Sequence, residues 1–308
     1  MFIDPSGRVE RALRTALKYN MPIKLVGPTS CGKTTAVRHV VCDIMNKDLV
    51  IINCNKDMNS EDLKGKYVWK DGKAVWQNSL LVNAMIKGEV VCFEEMNFLP
   101  GELQSEFHSV LDHRKDLVIT EHEGETIKAH PDFRAVCTMN EGYGHTVSWN
   151  DAMRGRWKCV IKMDYLPAEL ESKLLVEKTG VSKENADTIV MVANKLRKSK
   201  DLDIPDIGTR TLEGWAEFIN DGWAIREAAE HTLIGLCAYT NDEQFKVWTT
   251  IDFLLPKDGT KTIGGGVQQT TVNTAVASPQ PSGITVARAA DSRPDLISEI
   301  QKALEPIK

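Results

Sequence analysis

Gly27-Pro28-Thr29-Ser30-Cys31-Gly32-Lys33-Thr34 decides how this chain folds. Two glycines separated by four residues and followed by Lys and a hydroxyl residue form the phosphate-binding P-loop pattern. The glycines let successive backbone N–H groups turn inward toward phosphate oxygens. Lys33 supplies a point charge for β- and γ-phosphates, and Thr34 a hydroxyl for Mg²⁺. Upstream, Pro22-Ile23-Lys24-Leu25-Val26 is a short apolar run suited to a buried parallel strand. Downstream, Thr35 to Met45 has helical apolar spacing. Strand, glycine loop and helix put a helix N-terminus at the phosphates. Gly27, Pro28, Thr29, Ser30, Cys31, Gly32, Lys33, Thr34 and Thr35 are the expected contacts of a nucleoside triphosphate.

Binding alone does not give hydrolysis, which needs a metal partner and a group that activates water. Glu89-Val90-Val91-Cys92-Phe93-Glu94-Glu95 offers both. Four apolar residues suit a central strand, and two carboxylates emerge at its C-terminal edge, where open α/β sheets bind ligands. Glu94 would join the Mg²⁺ shell and Glu95 would polarise the attacking water.

Strand candidates recur at Ile23–Gly27, Leu49–Asn53, Val90–Glu95, Phe133–Asn140 and Cys159–Met163, with helices between them. The alternation predicts an α/β fold, a parallel sheet flanked by helices with right-handed crossovers. An amphipathic helix is expected over 5–20. Two hairpins interrupt the pattern, near 67–76 with its turn at Asp71-Gly72, and near 117–128 with its turn at Glu123-Gly124. Strands then stop, and helices are expected at about 168–178, 183–199, 209–220 and 223–239. The expected organisation is a nucleotide-binding domain over 1–165 and a small all-helical lid over 166–255. A Gly/Thr/Pro/Ser-rich flexible linker would follow over 256–292, then a short amphipathic segment over 293–308.

The chain has 308 residues, 42% hydrophobic and 26% charged, with a net charge of −5. This acidic balance argues against nucleic acid or a membrane surface as a general partner. Seven cysteines include no CxxC pair, and most lie in apolar runs as reduced, buried thiols. Cys31 stands at a helix N-terminus, which would lower its pKa, but a backbone spacer is the plainer role. Met1-Phe2-Ile3-Asp4-Pro5 does not read as a signal peptide and no 18-residue apolar stretch occurs, so a cytoplasmic location is expected.

With these motifs in place, the chain resembles the AAA+ ATPases. Residues 27–34 are similar to Walker A and Val90–Glu95 to Walker B. Met96-Asn97-Phe98-Leu99-Pro100 resembles the MoxR branch, and the likeness is strongest to its CbbQ, NirQ and GvpN group, over about residues 5–240. The resemblance makes Asn140, ending Phe133–Asn140, the sensor-1 residue that positions water. It makes Arg156 of Met153-Arg154-Gly155-Arg156-Trp157 the arginine finger, with Arg154 a second basic candidate. Arg210 of Gly208-Thr209-Arg210-Thr211-Leu212 becomes the sensor-2 residue near the γ-phosphate. Both hairpins match insertions that face a ring pore or a partner. The family's first Walker B acid is usually Asp. Glu94 is expected to be a tolerated variant, with Glu94→Asp preserving or raising turnover.

The resemblance implies a Mg²⁺-dependent, ring-forming ATP hydrolase, most often a hexamer, that remodels a protein client beside a partner bearing a von Willebrand A-type domain. A nucleic-acid motor is the second reading, disfavoured by charge and by the absence of a DNA-binding motif. A nucleotide switch with slow or no hydrolysis is the third. His108 and His113 lack metal-site spacing. Lys195, Arg197, Lys198 and Lys200 are expected to complement a helix dipole. Trp69 and Trp76 would either pack on one another across the hairpin or stack on a client.

Overall fold

In the computed structural model, residues 2–140, 149, 151–199, 207–235 and 240–255 are described, without the side chains of 241–243. The expected linker, the C-terminal segment, Lys200 and Cys237 lie outside these residues. The order opens with α1 (Arg8–Lys18), β1 (Ile23–Val26), α2 (Lys33–Arg38) and β2 (Leu49–Asn53). Helix α2 widens into a π-helical turn over His39–Ile44. Then come α3 (Ser60–Lys64), β3 (Gly65–Lys70), β4 (Lys73–Asn78), α4 (Leu80–Lys87) and β5 (Val90–Glu94). Short helices α5 (Gly101–Gln104) and α6 (Phe107–Leu111) precede β6 (Asp116–Ile119), β7 (Glu125–Lys128) and β8 (Arg134–Met139). Helix α7 (Asp151–Arg154) leads to β9 (Cys159–Lys162).

The main sheet has the order β2-β5-β8-β1-β9, and every pairing in it is parallel. Parallel neighbours need crossovers, and these bring helices onto both faces. Strand β5 shows the consequence. Val91 and Phe93 pack with Leu81, Met85 and Phe107 on one face, while Val90 and Cys92 pack with Leu13, Leu17 and Val37 on the other. These four residues of β5 are fully buried, which explains an apolar run without polar alternation.

Both expected hairpins form. β3 and β4 turn through Asp71 and Gly72, at φ 51° and 77°, and β6 and β7 turn near Glu123 and Gly124, at φ 54° and 71°. Of the two expectations for the tryptophans, packing on one another does not form. Register puts Trp76 opposite Tyr67 and Trp69 opposite Ala74, and the ring contacts of Trp76 go to Tyr67 and His122. Trp69 is 81% exposed. Trp76 instead stacks on His122 of the second hairpin, at 4.9 Å and 9°, and Tyr67 Oη meets His122 Nδ1 at 3.1 Å. The two hairpins are thereby fastened to each other.

After β9 the described residues form helices: α8 (Ala168–Thr179), α9 (Lys183–Arg197), α10 (Thr209–Asn220) and α11 (Ile225–Ala229), the last continuing as a π-helical turn over Glu230–Ile234. A further helix, α12 (Asn241–Leu254), was not anticipated by the pattern. Its Val247 and Ile251 join Ile189, Leu212, Trp215 and Leu233 in a core separate from those on the sheet.

Candidate active site

The loop between β1 and α2 sits at the C-terminal edge of the sheet, where β1, β5 and β8 end side by side. Thr29 through Thr35 line a cleft of about 290 Å³ that also receives Glu94, Glu95, Thr138, Asn140 and Arg210. Gly32 holds φ 94°, a left-handed conformation that a side chain would strain, and this lets the loop close into α2. Gly27 meets a different demand, because a Cβ there would come within 2.3 Å of the Met163 carbonyl. Gly27 and Pro28 are not on the cleft wall. Their carbonyls instead accept from Lys33 Nζ at 2.9 and 2.6 Å, fixing a mostly buried ammonium inside the loop.

The two acids separate by backbone conformation. Glu94 ends β5 in extended form, and its Oε1 accepts from the Thr34 hydroxyl. Glu95 then turns into the left-handed region at φ 52° and ψ 41°. A non-glycine residue held there costs on the order of 1 kcal/mol and persists because its surroundings fix it. One such contact is the Glu95 N–H, which donates to Thr138 Oγ1 at 3.4 Å. The turn points the two carboxylates differently, and Asn140 Nδ2 donates to Glu95 Oε1 at 3.3 Å. A donor set of one hydroxyl and one carboxylate beside a phosphate loop suits Mg²⁺, which takes oxygen ligands and retains waters. Thr34 and Glu94 therefore fit that ion. Their contact runs through the Glu94 carboxylate, so Glu94→Asp is a direct test of the expectation that Asp would serve as well.

Arg154 and Arg156 lie outside this cleft. Arg156 Nε donates to the His108 carbonyl at 3.0 Å and its Nη1 to the Ala152 carbonyl at 2.7 Å, while Asp112 Oδ2 is 3.8 Å from Nη2. Arg154 is exposed, 3.7 Å from Asp151. Cys31 is not activated, because burial pushes its thiol above the ordinary value. Among the described residues no group of three or more His, Cys, Asp or Glu side chains is placed to hold a metal on its own, and no helix is long and apolar enough to cross a membrane.

Sequence reasoning missed several cleft residues. Thr138 had a signal, being the polar member of the apolar run Ala135-Val136-Cys137. Phe2, Ile3, Leu166 and Leu174 had none, since distant segments bring them to the cleft. Lys178 and Glu213 meet there at 2.5 Å, joining α8 to α10 across 35 positions of sequence.

Residues 22–157 match the AAA domain (dynein-related subfamily), and residues 171–249 match the CbbQ/NirQ/NorQ C-terminal family. Protein CbbQ of Hydrogenophilus thermoluteolus is 29% identical over 239 residues, 77% of this chain and 88% of that one. The denitrification regulatory protein NirQ of Stutzerimonas stutzeri is 28% identical over 228 residues, 74% of this chain and 82% of that one. Among solved structures, NtrX from Brucella abortus in complex with ADP superposes with a TM-score of 0.52 at 14% identity. That match covers 80% of this chain and 58% of NtrX, and it supports the fold alone. Cleft, family models and relatives converge on one assignment: the chain belongs to the CbbQ/NirQ/NorQ group of MoxR-type AAA+ ATPases and is an ATP hydrolase.

Proposed function

We propose that this ATPase is Mg²⁺-dependent, forms a ring, most simply a hexamer, and spends ATP on remodelling a protein client. The observation that supports Mg²⁺-dependent hydrolysis is the meeting of Thr34, Glu94, Glu95 and Asn140 at the mouth of the P-loop. The loop N–H groups and Lys33 bind the β- and γ-phosphates. Thr34 and Glu94 hold Mg²⁺, which when bound neutralises charge on the phosphate oxygens. Glu95 accepts hydrogen-bonding from the attacking water, and Asn140, which donates and accepts without titrating, keeps that carboxylate oriented. Arg210 reaches the γ-phosphate from α10. Arg156, with Arg154 beside it, serves the cleft of a neighbouring subunit, where a guanidinium fork matches phosphate oxygens. The joined hairpins, with Trp69 exposed, engage the client or a partner bearing a von Willebrand A-type domain in the cytoplasm.

Glu94 supports a second reading, a slow nucleotide switch, because its carboxylate already occupies the Thr34 hydroxyl. One experiment separates the two. Lys33→Ala is expected to lose nucleotide binding, whereas Glu95→Gln binds ATP and turns it over at least ~100-fold more slowly than wild type. Equal turnover by Glu95→Gln and wild type would overturn the assignment of Glu95. A wild type that retains unhydrolysed ATP would favour the switch, and turnover stimulated by DNA would favour a nucleic-acid motor.

A further inference from the structure

A buried ion pair lies behind the first turn of α10, outside the apparatus described above. Glu171, in the first turn of α8, is fully buried. Arg197, the last residue of α9, grips it with a two-pronged fork, Nη1 to Oε2 at 2.8 Å and Nη2 to Oε1 at 3.0 Å. Burying two charges gains little stability over an apolar pair of the same volume, so its value is better sought in what it fixes. Here the fixed points are specific. The Thr209 hydroxyl donates to Glu171 Oε1 at 2.9 Å, and Arg197 Nε donates to the Ile207 carbonyl at 2.8 Å. The two bonds bracket Gly208, and Arg210 is the next residue along α10. The same guanidinium lies 3.6 Å over the Tyr165 ring, in the segment joining β9 to α8.

The start of α10 is equally close to the phosphate loop. A Cβ at Gly208 would come within 2.6 Å of Ser30 Cβ, so the backbone there abuts the loop directly. Ser30 is itself left-handed, at φ 55°. A small shift of this turn therefore moves Arg210 relative to the phosphates. Arg197 was read from sequence as one of a set of dipole-complementing cations at a helix end. Burial and the fork give it a different part.

We propose that the Glu171–Arg197 pair is a positioning device for Arg210: it pins the first turn of α10 through the Thr209 hydroxyl and the Ile207 carbonyl, and so sets the register of Arg210 against the P-loop. The proposal rests on the reading of Arg210 as a γ-phosphate contact. Glu171 and Arg197 are positioning residues, touching no substrate. Breaking the Thr209 link leaves the ion pair and the apolar core in place while freeing the turn.

The test uses the full chain and steady-state ATP turnover, with ADP affinity measured separately. Thr209→Val removes the hydroxyl at nearly constant volume and is expected to lower kcat about 10-fold with KM changed less than about 3-fold, as for a displaced catalytic contact. Thr209→Ser restores the hydroxyl and recovers at least about half of wild-type kcat, a rescue that lost packing alone would not give. In an Arg210→Ala background, Thr209→Val adds nothing further, because the two act through one contact. Arg197→Lys, which keeps the charge but loses the fork, gives the same kcat loss and serves if Thr209→Val does not fold. Wild-type kcat in Thr209→Val beside a defective Arg210→Ala would overturn the positioning role. Equal fold-losses in both backgrounds would overturn it as well. Wild-type turnover by Arg210→Ala would remove the reading of Arg210, and this proposal with it.

Discussion

The P-loop cleft and the Arg154–Arg156 corner carry complementary chemistry in opposite settings. In the cleft, side chains from the loop, β5, β8 and α10 converge on one volume. At the corner, among the described residues, Arg156 meets two backbone carbonyls and Asp112. Asp112 is itself engaged by Arg114, whose hydrogen bonds pull its carboxyl down to about 2. Neutral carbonyls fix a guanidinium without cancelling its charge. The lesson is that one chain assembles a phosphate site, whereas Arg156 is anchored outside it.

The largest effect is therefore expected where the two settings would meet. Arg156→Ala should bind ATP almost normally and lose ~10³-fold or more in turnover, the range for an arginine supplied in trans. Mixed with Glu95→Gln subunits, it should regain activity, since some interfaces then pair an intact Glu95 with an intact neighbouring arginine. Inactive mixtures that demonstrably exchange subunits would break the comparison, as would a fully active monomer.

The hairpins repeat the contrast between inward and outward on a smaller scale. Trp76 is half-buried against Tyr67 and His122, while Trp69 faces outward. Trp76→Ala should cost about 2 kcal/mol in denaturant unfolding, somewhat below the value for a fully buried aromatic. Trp69→Ala should stay within about 0.5 kcal/mol, as exposed positions do. Equal losses at both would mean that the outward indole is part of the packing.

A smaller effect sharpens the cleft itself. Glu94→Asp shortens the side chain by about 1.5 Å and should withdraw it from the Thr34 hydroxyl, lowering turnover by about tenfold. An unchanged or faster rate would restore the simpler view that either acid serves.

Much of the cleft was legible because its elements are written locally. Gly27 to Thr34 and Glu94-Glu95 each carry their chemistry within eight residues or fewer, and parallel-sheet topology brings such segments to one edge. What stayed hidden is long-range. Glu171, Arg197 and Thr209 form one network from three helices, and nothing in their local sequence announces it. Trp76 was readable as a strand residue, but its partner His122 belongs to another hairpin. Helix α12 was missed because Phe245 and Phe253, both exposed, blur the apolar stripe that Val247 and Ile251 define.

The left-handed backbone at Glu95 has a consequence for how this enzyme would respond to selection. Glycine adopts φ 52° freely, so Glu95→Gly relieves the strain while deleting the carboxylate. Screening a library for heat resistance alone would thus tend to favour inert proteins at this position. Fitness for hydrolysis and fitness for folding pull on the same codon in opposite directions, and the residue that persists there records which of them has mattered.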